Sequence, residues 1–588
     1  MRKTFLFAVS ILLAQTISAQ DKKPEIYNQE KIFAPVVVAD LPGDAFQGLC
    51  YTKDGKIRHY NTMMLPEGVK DIYLESSDNG LSWTLHDRPA GLWGPMVMKS
   101  PYSRYWVGVL GDKVYRSKTG LGDTKSKRVF EFDLKDAHAM DMIALKSRQR
   151  FVAVFSTDLL SPKTGYHASS AYSDDDGLTW TTVPLAEASF VPEKTPGDQR
   201  VHWYCNGSEP SIAELSDGTL LVAARTSGPW HTFYKSSDGG ETWSEPYFDK
   251  IFWSCNTTPN LHTLSDGRLL FIWNNTAILP TRDISEYPEL TAAEREGVWE
   301  SVFTNRDVLH AAISDDDGKT WHGFREIALN EIRNYGDFRQ YGGWPLNGHD
   351  RSVHMTSVLE LPDGNVLLAY GQERSSAKML IFDPDWLYET SAMEDFRSGY
   401  AHISNHLYVN TLSGGRRKWA GHAQWNRVPG ALLVKDPDAG KGTQKDVLQI
   451  CRICDPRLVS DRQGVVWNFP ATKKGTVTTE CRIDGEGFQL AICDHWMNPC
   501  DEVGPKASPI VFKLTRKDLP QSGWYKVSVE WDFDTATATL LINDKECRKI
   551  EIGSFPPSGL SYLHLQTLAE SYDPYGSYFK YFKEDGAL

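Results

Sequence analysis

The chain has 588 residues, 41% hydrophobic and 24% charged, which is the composition of an ordinary soluble globular protein. That length is too great for one ordinary core, so two domains or one large repeat array with an appendage are expected. A net charge of −13, with no basic stripe against it, argues against nucleic acid as a partner.

The first twenty residues, MRKTFLFAVSILLAQTISAQ, set Arg2 and Lys3 before an apolar run that ends in small residues. This reads as a signal peptide over residues 1–20 with cleavage around Ala19 or Gln20, so the mature protein is expected in the periplasm or outside the cell. No later apolar run approaches the roughly 20 residues a membrane span requires. The nine Cys are odd in number and scattered, unlike a disulfide scaffold; Cys451 and Cys454 form a lone CxxC, for which a structural role outweighs zinc. No motif implies a cofactor or metal, and nothing in the pattern sets an oligomeric state.

Further along, one turn recurs four times. SSDNGLSW (Ser76 to Trp83), SDDDGLTW (Ser173 to Trp180), SSDGGETW (Ser236 to Trp243) and SDDDGKTW (Ser314 to Trp321) share the form Ser-x-Asp-x-Gly-x-Ser/Thr-Trp. The central Asp (Asp78, Asp175, Asp238, Asp316) accepts N–H groups of the turn, the Gly two positions later supplies positive φ, and the Trp packs beneath the hairpin. Asp-Gly turns at Gly218, Gly267 and Gly364, each leading into an apolar strand, lie 49 and 97 residues apart, close to one and two periods. A period of this size means a propeller or solenoid. Six four-stranded units are expected, starting near Gly48, Gly94, Met140, Cys205, Cys255 and Asp350, the second and sixth without a proper box.

With these boxes the chain, over roughly residues 30 to 395, resembles the sialidase superfamily of six-bladed propellers. The resemblance implies that the boxes are scaffold on the rim, away from the catalytic face. The inner strands of a propeller converge on one mouth, and counting back nine residues from Gly218, Gly267 and Gly364 gives Glu209, Thr258 and Met355 as equivalent positions. Glu209, in SEPSIAELSDG, resembles the Glu that polarises the family's catalytic Tyr. Arg225 and, with less agreement, Arg306 match the second and third members of an arginine triad that grips a substrate carboxylate. A guanidinium fork reads a planar carboxylate naturally, so the two point to an anionic ligand. The bland alternative for each is an ion pair.

Other family residues do not carry over. The first triad Arg is missing from DAFQGLCYTKDG, no acid/base Asp is matched in NTMMLPEGVKDIYL, where Glu67 and Asp71 are only nearby carboxylates, and Met355 stands at the Tyr position. A thioether is no glycosyl nucleophile. Candidate replacements crowd the sixth unit in GHDRSVHM: His354 as general base or acid, Asp350 as a second catalytic carboxyl, Arg351 in place of the missing Arg, and His349 beside it as a binding residue. A structural polar plug is the alternative for this segment.

A glycosidase needs a proton donor and a nucleophile or water-activating base, which Glu209 with His354 or Asp350 would supply. A uronate lyase would use His354 with Arg225 and Arg306, and a non-catalytic glycan-binding propeller would keep the cradle alone. The expected function is therefore a secreted exo-acting hydrolase, sialidase-like, that releases a terminal acidic sugar from a glycan, with lyase and binding protein as alternatives. Residues 400–588 show alternating strand runs, among them YKVSVEWDF and TATATLLIND, that resemble a concanavalin/laminin-G β-sandwich. There Asp494, His495 and Trp496 are candidates for sugar contact or for loop structure, and packing against the propeller is the default role.

Overall fold

Alternating apolar and polar residues with tight turns between them produce six sheets, each of four antiparallel strands consecutive in the chain, save that the first strand of all belongs to the last sheet. β1 (Val36–Asp40) is that strand. Blade 1 holds β2 (Leu49–Tyr51), β3 (Ile57–Asn61), β4 (Ile72–Ser76) and β5 (Thr84–Asp87), and blade 2 holds β6 (Met96–Lys99), β7 (Trp106–Leu110), β8 (Lys113–Ser117) and β9 (Lys127–Glu131). Blade 3 holds β10 (His138–Ala144), β11 (Phe151–Thr157), β12 (His167–Ser173) and β13 (Thr181–Pro184), and blade 4 holds β14 (Asn206–Glu214), β15 (Leu220–Thr226), β16 (Trp230–Ser236) and β17 (Tyr247–Trp253). Blade 5 holds β18 (Asn260–Thr263), β19 (Leu269–Trp273), β20 (Val308–Ser314) and β21 (His322–Leu329), and blade 6 holds β22 (Ser357–Glu360), β23 (Val366–Tyr370), β24 (Lys378–Phe382) and β1. This computed structural model describes residues 32–45, 48–61, 72–87, 96–120, 126–134, 136–157, 167–188, 205–226, 228–276, 306–330, 352–372, 376–409, 426–440, 446–453, 462–499, 504–520 and 522–586. The expected signal peptide, Glu67, Asp71, His349, Asp350, Arg351 and Cys454 lie outside the described residues.

Pairing of β1 with β24, Val36 opposite Ile381 and Asp40 opposite Lys378, closes the ring. Apolar faces bury one another between blades 2 and 3, 3 and 4, 4 and 5, 5 and 6, and 6 and 1. Each wholly buried Leu or Phe in them, such as Phe155, Leu220, Phe271 or Leu367, contributes about 1.5–3 kcal/mol by leaving water. The first strands of all six blades line a single axial cavity of about 600 Å³.

The repeated boxes connect the third and fourth strands of blades 1, 3, 4 and 5. Asp175 accepts the N–H groups of Leu178 (3.0 Å) and Thr179 (2.8 Å) and the Thr179 hydroxyl (2.6 Å), and Asp238 and Asp316 repeat the pattern. Gly177 takes φ 81, as the turn demands. Blade 6 has no box because its outer strand comes from the other end of the chain. Trp83, Trp180 and Trp321 each donate to the carbonyl of the Gly in their own box, whereas Trp243 Nε1 crosses to Ser170 Oγ of blade 3 at 2.8 Å.

Beyond the propeller two sheets face each other over a core that includes Trp467, Phe469, Leu490, Val529, Trp531 and Phe579. The first contains Asp446–Arg452, Asp573–Phe579, Lys474–Ile483, Tyr525–Asp532 and Thr537–Ile542 in that order, the last two forming the expected hairpin; the second runs Ile403–Ser404, Gly464–Thr472, Leu560–Thr567, Phe488–Cys493, Ile510–Leu514. The protein is thus all-β, a propeller followed by a sandwich. The sandwich docks on blade 5: Tyr562 donates to Glu326 Oε1 (2.7 Å) and meets His310 Nε2, Asn468 Oδ1 accepts the Glu326 N–H (2.9 Å), and Trp496 is wholly buried. Among the described residues no helix is long and apolar enough to cross a membrane.

Candidate functional site

Antiparallel connectivity decides which residues share an edge. In every blade the start of the first strand, the end of the second, the start of the third and the end of the fourth lie on one edge of the ring, here called the upper. The Asp-Gly turns and the Asp-boxes lie on the lower edge. Glu209 near the start of β14, Arg225 near the end of β15 and Arg306 just before β20 are therefore upper-edge residues.

They form one network across three blades. Arg225 Nη1 donates to Glu209 Oε2 at 2.9 Å and Arg225 Nε to Asn256 Oδ1 at 2.8 Å, while Arg306 Nη2 donates to the Asn256 carbonyl. Arg306 Nη1 lies 3.1 Å from His354 Nε2. A guanidinium only donates, so this imidazole nitrogen accepts, and the ring proton is placed on Nδ1. The Thr258 hydroxyl donates to Glu209 Oε2 and stands 3.5 Å from Met355 Sδ. Glu209, Thr258 and Met355, equated by counting residues, thus converge on the axis, and Thr258 lines the cavity. Arg306 and His354 are buried, at 1% and 0% exposure.

The backbone is bent to reach this arrangement. Glu209 (φ 45), Asn256 (φ 62) and Met355 (φ 59) all occupy the left-handed region, which costs a bulky residue about 1–3 kcal/mol. Strand β14 bulges between Ser208 and Ser211, and the Glu209 N–H donates to Ser156 Oγ of blade 3 at 2.6 Å. Asn256, tolerant of this conformation, presents its side-chain and main-chain oxygens to two different arginines.

Burial pushes the Glu209 carboxyl up, but the charge of Arg225, the hydrogen bonds from Thr258 and Arg225 and the charge of Arg306 outweigh it, so the group lies below its ordinary value and is ionised. His138, at the start of β10, is pushed down by burial against the opposing charge of Glu209. Farther down the channel burial pushes Asp141 up, although it accepts from Ser211 Oγ (2.8 Å) and the Ile212 N–H (3.0 Å). A carboxylate held charged by a bonded guanidinium and a second one nearby can accept a proton, and arginines can bind an anion.

Sequence reasoning assigned no role to Asn256, Thr258, His138 or Ser156. The paired segments CNGSEPSI and CNTTPNLH were the available signal for the first two. His349, Asp350 and Arg351 lie outside the described residues; among the described sixth-blade candidates His354 joins the network.

Residues 139–338 match the model of the BNR repeat-like domain. That match, over blades 3 to 5, supports a place in the sialidase/BNR superfamily. Search of the curated proteins finds no match. Among solved structures, a protein of unknown function from Dyadobacter fermentans is 16% identical, with 60% of this chain and 98% of that one covered at a TM-score of 0.37. Trypanosoma rangeli sialidase is 12% identical, with 93% and 92% covered at 0.33. The same sialidase with 2,3-difluorosialic acid as a covalent intermediate is 13% identical, with 94% and 92% covered at 0.34. Likenesses of this size bear on neither activity nor substrate. The BNR-repeat propeller itself supports a sialidase-like glycosidase or glycan-binding protein.

Proposed function

We propose that the protein is an exported, exo-acting glycoside hydrolase of sialidase-like type that releases a terminal acidic sugar, a sialic acid or a uronic acid, from glycans. The observation that carries this reading is the upper-edge network in which Arg225 and Arg306, from two blades, are held with the ionised Glu209, whose partner Thr258 lines the axial cavity. Arg225 and Arg306 bind the sugar carboxylate. Glu209 accepts the proton of the attacking water, and the charge of Arg225, with the hydrogen bond from Thr258, keeps it ionised. His354, its Nε2 occupied by Arg306, acts as a positioning residue for that guanidinium, and Asp350 is assigned the proton donation to the leaving oxygen. With Met355 where a Tyr nucleophile would stand, water attacks directly and the anomeric configuration inverts.

The test is a screen of the full chain against sialosides and uronic-acid-capped oligosaccharides, read by mass, with Glu209→Gln and His354→Ala alongside. Free acidic sugar that requires Glu209 supports the hydrolase. An unsaturated uronate would mean a lyase, and binding without turnover a glycan-binding protein.

A further inference from the structure

The same upper edge of blade 4 carries a second cluster, of a different chemical kind. Strand β15 ends in Arg225 and Thr226, and the chain turns back at Trp230, whose carbonyl accepts the Thr226 hydroxyl at 2.9 Å. Strand β17 ends at Trp253, three residues before Asn256. Trp230 and Trp253 are paired in register, with ring centroids 5.9 Å apart. His495 of the sandwich lies against Trp253 at 4.3 Å between ring centroids, and Lys250 Nζ stands 5.5 Å from the Trp230 ring. All three residues are half-buried, His495 with 12% of its side chain exposed.

Their orientation is set by one carboxylate. Asp494 accepts Trp253 Nε1 through Oδ2 at 2.8 Å and lies 2.7 Å from His495 Nδ1 through Oδ1. Asp494 is in turn fixed to blade 5, its carbonyl accepting Asn275 Nδ2 at 2.9 Å, next to the isolated bridge between Thr276 and Trp496. Rings locked in this way meet a ligand with little ordering cost. Strands in a sheet are roughly 4.8 Å apart, so the third and fourth strands of blade 4 stand roughly 10–15 Å outward from Glu209 on the first. That span is bridged by a glycan chain and not by a single sugar.

We propose that Trp230, Trp253 and His495, with Lys250 beside them, form an outer saccharide subsite that stacks on the neutral sugars of the leaving-group side of the glycan. The subsite gives the sandwich a part in substrate selection, since His495 completes an aromatic surface begun by the propeller. Indole faces take the apolar C–H face of a pyranose, while Lys250 supplies a donor for its hydroxyls. The inference rests on the hydrolase reading for the direction of the glycan, but stacking of a neutral sugar does not depend on catalysis.

The experiment uses the full chain and two probes measured separately by saturation-transfer NMR and tryptophan fluorescence: lacto-N-tetraose, a neutral oligosaccharide, and free sialic or glucuronic acid. Wild type is expected to bind the neutral oligosaccharide. Trp230→Ala and His495→Ala are each expected to weaken that binding roughly tenfold, and to lower by a similar factor the ratio of kcat/KM for an extended acidic glycan to that for its methyl glycoside. Trp253→Phe, which keeps a ring but loses the N–H to Asp494, is expected to lose less, and thermal melts establish that each variant is folded. Absence of neutral-sugar binding in the wild type, or unchanged binding and ratio in both folded Ala variants, overturns the subsite. Arg225→Ala separates the two readings: loss of acidic-sugar binding with neutral binding retained supports both, whereas retention of acidic-sugar binding counts against the cradle alone.

Discussion

The two edges of the propeller are built by the same strands and solve different problems. On the lower edge the central Asp of each box is satisfied within its own turn: Asp316 takes hydrogen bonds from Lys319, Thr320 and Ser314, all within four residues of it, and bonds such as Ser216 to Asp317 staple one blade to the next. On the upper edge the partners are far apart in sequence, charges are buried, and the left-handed region is taken by Glu209 and Met355 as well as Asn256, whereas the boxes, glycines aside, give it only to Asn79, Asp176 and Asp317, types that tolerate it. A repeated, self-contained turn is what a scaffold needs. Cross-blade ion pairs such as Arg150 with Glu241 occur on the lower edge too, so what sets the upper edge apart is a carboxylate and two buried guanidinium groups gathered in one network beside the axial cavity.

Substitutions should separate the edges by kind of effect. The largest is expected for Glu209→Gln, which removes the proposed proton acceptor and should lower turnover by about 10²–10⁴-fold in single-turnover assays with the melting temperature monitored in parallel. Next come Arg225→Ala and Arg306→Ala. Losing a charge-assisted bond worth about 1.5–3 kcal/mol should weaken acidic-sugar binding by roughly 10–100-fold in calorimetric titrations, with a smaller effect on neutral probes. On the lower edge Asp316→Ala should do the reverse. The loss of several turn bonds is expected to cost about 1–3 kcal/mol, seen as a melting point lower by several degrees, while turnover per folded molecule stays at the wild-type value.

Smaller effects test the charges. Burial pushes Asp238 up, but hydrogen bonds from Thr242, Ser236 and Glu241 bring it down to about 2, and for Asp316 the bonds from Thr320 have the same result. A carboxyl depressed in the folded state contributes stability above its unfolded value of about 4 and loses it as pH falls toward 2. Chemical denaturation of Asp238→Asn should therefore show a weaker loss of stability than wild type across that window. The smallest expected change is in Thr258→Val: without the hydroxyl donor the Glu209 value rises, and the acid limb of the kcat/KM profile should move to higher pH.

The fold was open to reading because its causes are local and repeated. A Ser, an Asp, a Gly and a Trp at constant spacing specify one turn, and the distance between Asp-Gly turns set the blade period and hence the axial meeting of Glu209, Thr258 and Met355. Arg225 and Arg306 were found by resemblance of their segments. The role of Asn256 was hidden, because it depends on a left-handed backbone and on oxygens turned toward arginines 31 and 50 residues away. The Trp243 box departs from the others in one contact the spacing does not reveal, its N–H going to Ser170 of the neighbouring blade and not to its own Gly. Asp494 reaches Trp253 across 241 residues, a contact that only the docking of two domains creates.

The central claim is that an acidic sugar is held at the upper edge by guanidinium groups from separate blades. A crystal structure of Glu209→Gln soaked with an uncleaved acidic glycoside tests it most directly. The sugar carboxylate should lie within hydrogen-bonding distance of Arg225 or Arg306, with the glycosidic oxygen turned toward the outer rings. A carboxylate bound elsewhere, or both arginines still sealed away beneath an occupied channel, would contradict the account.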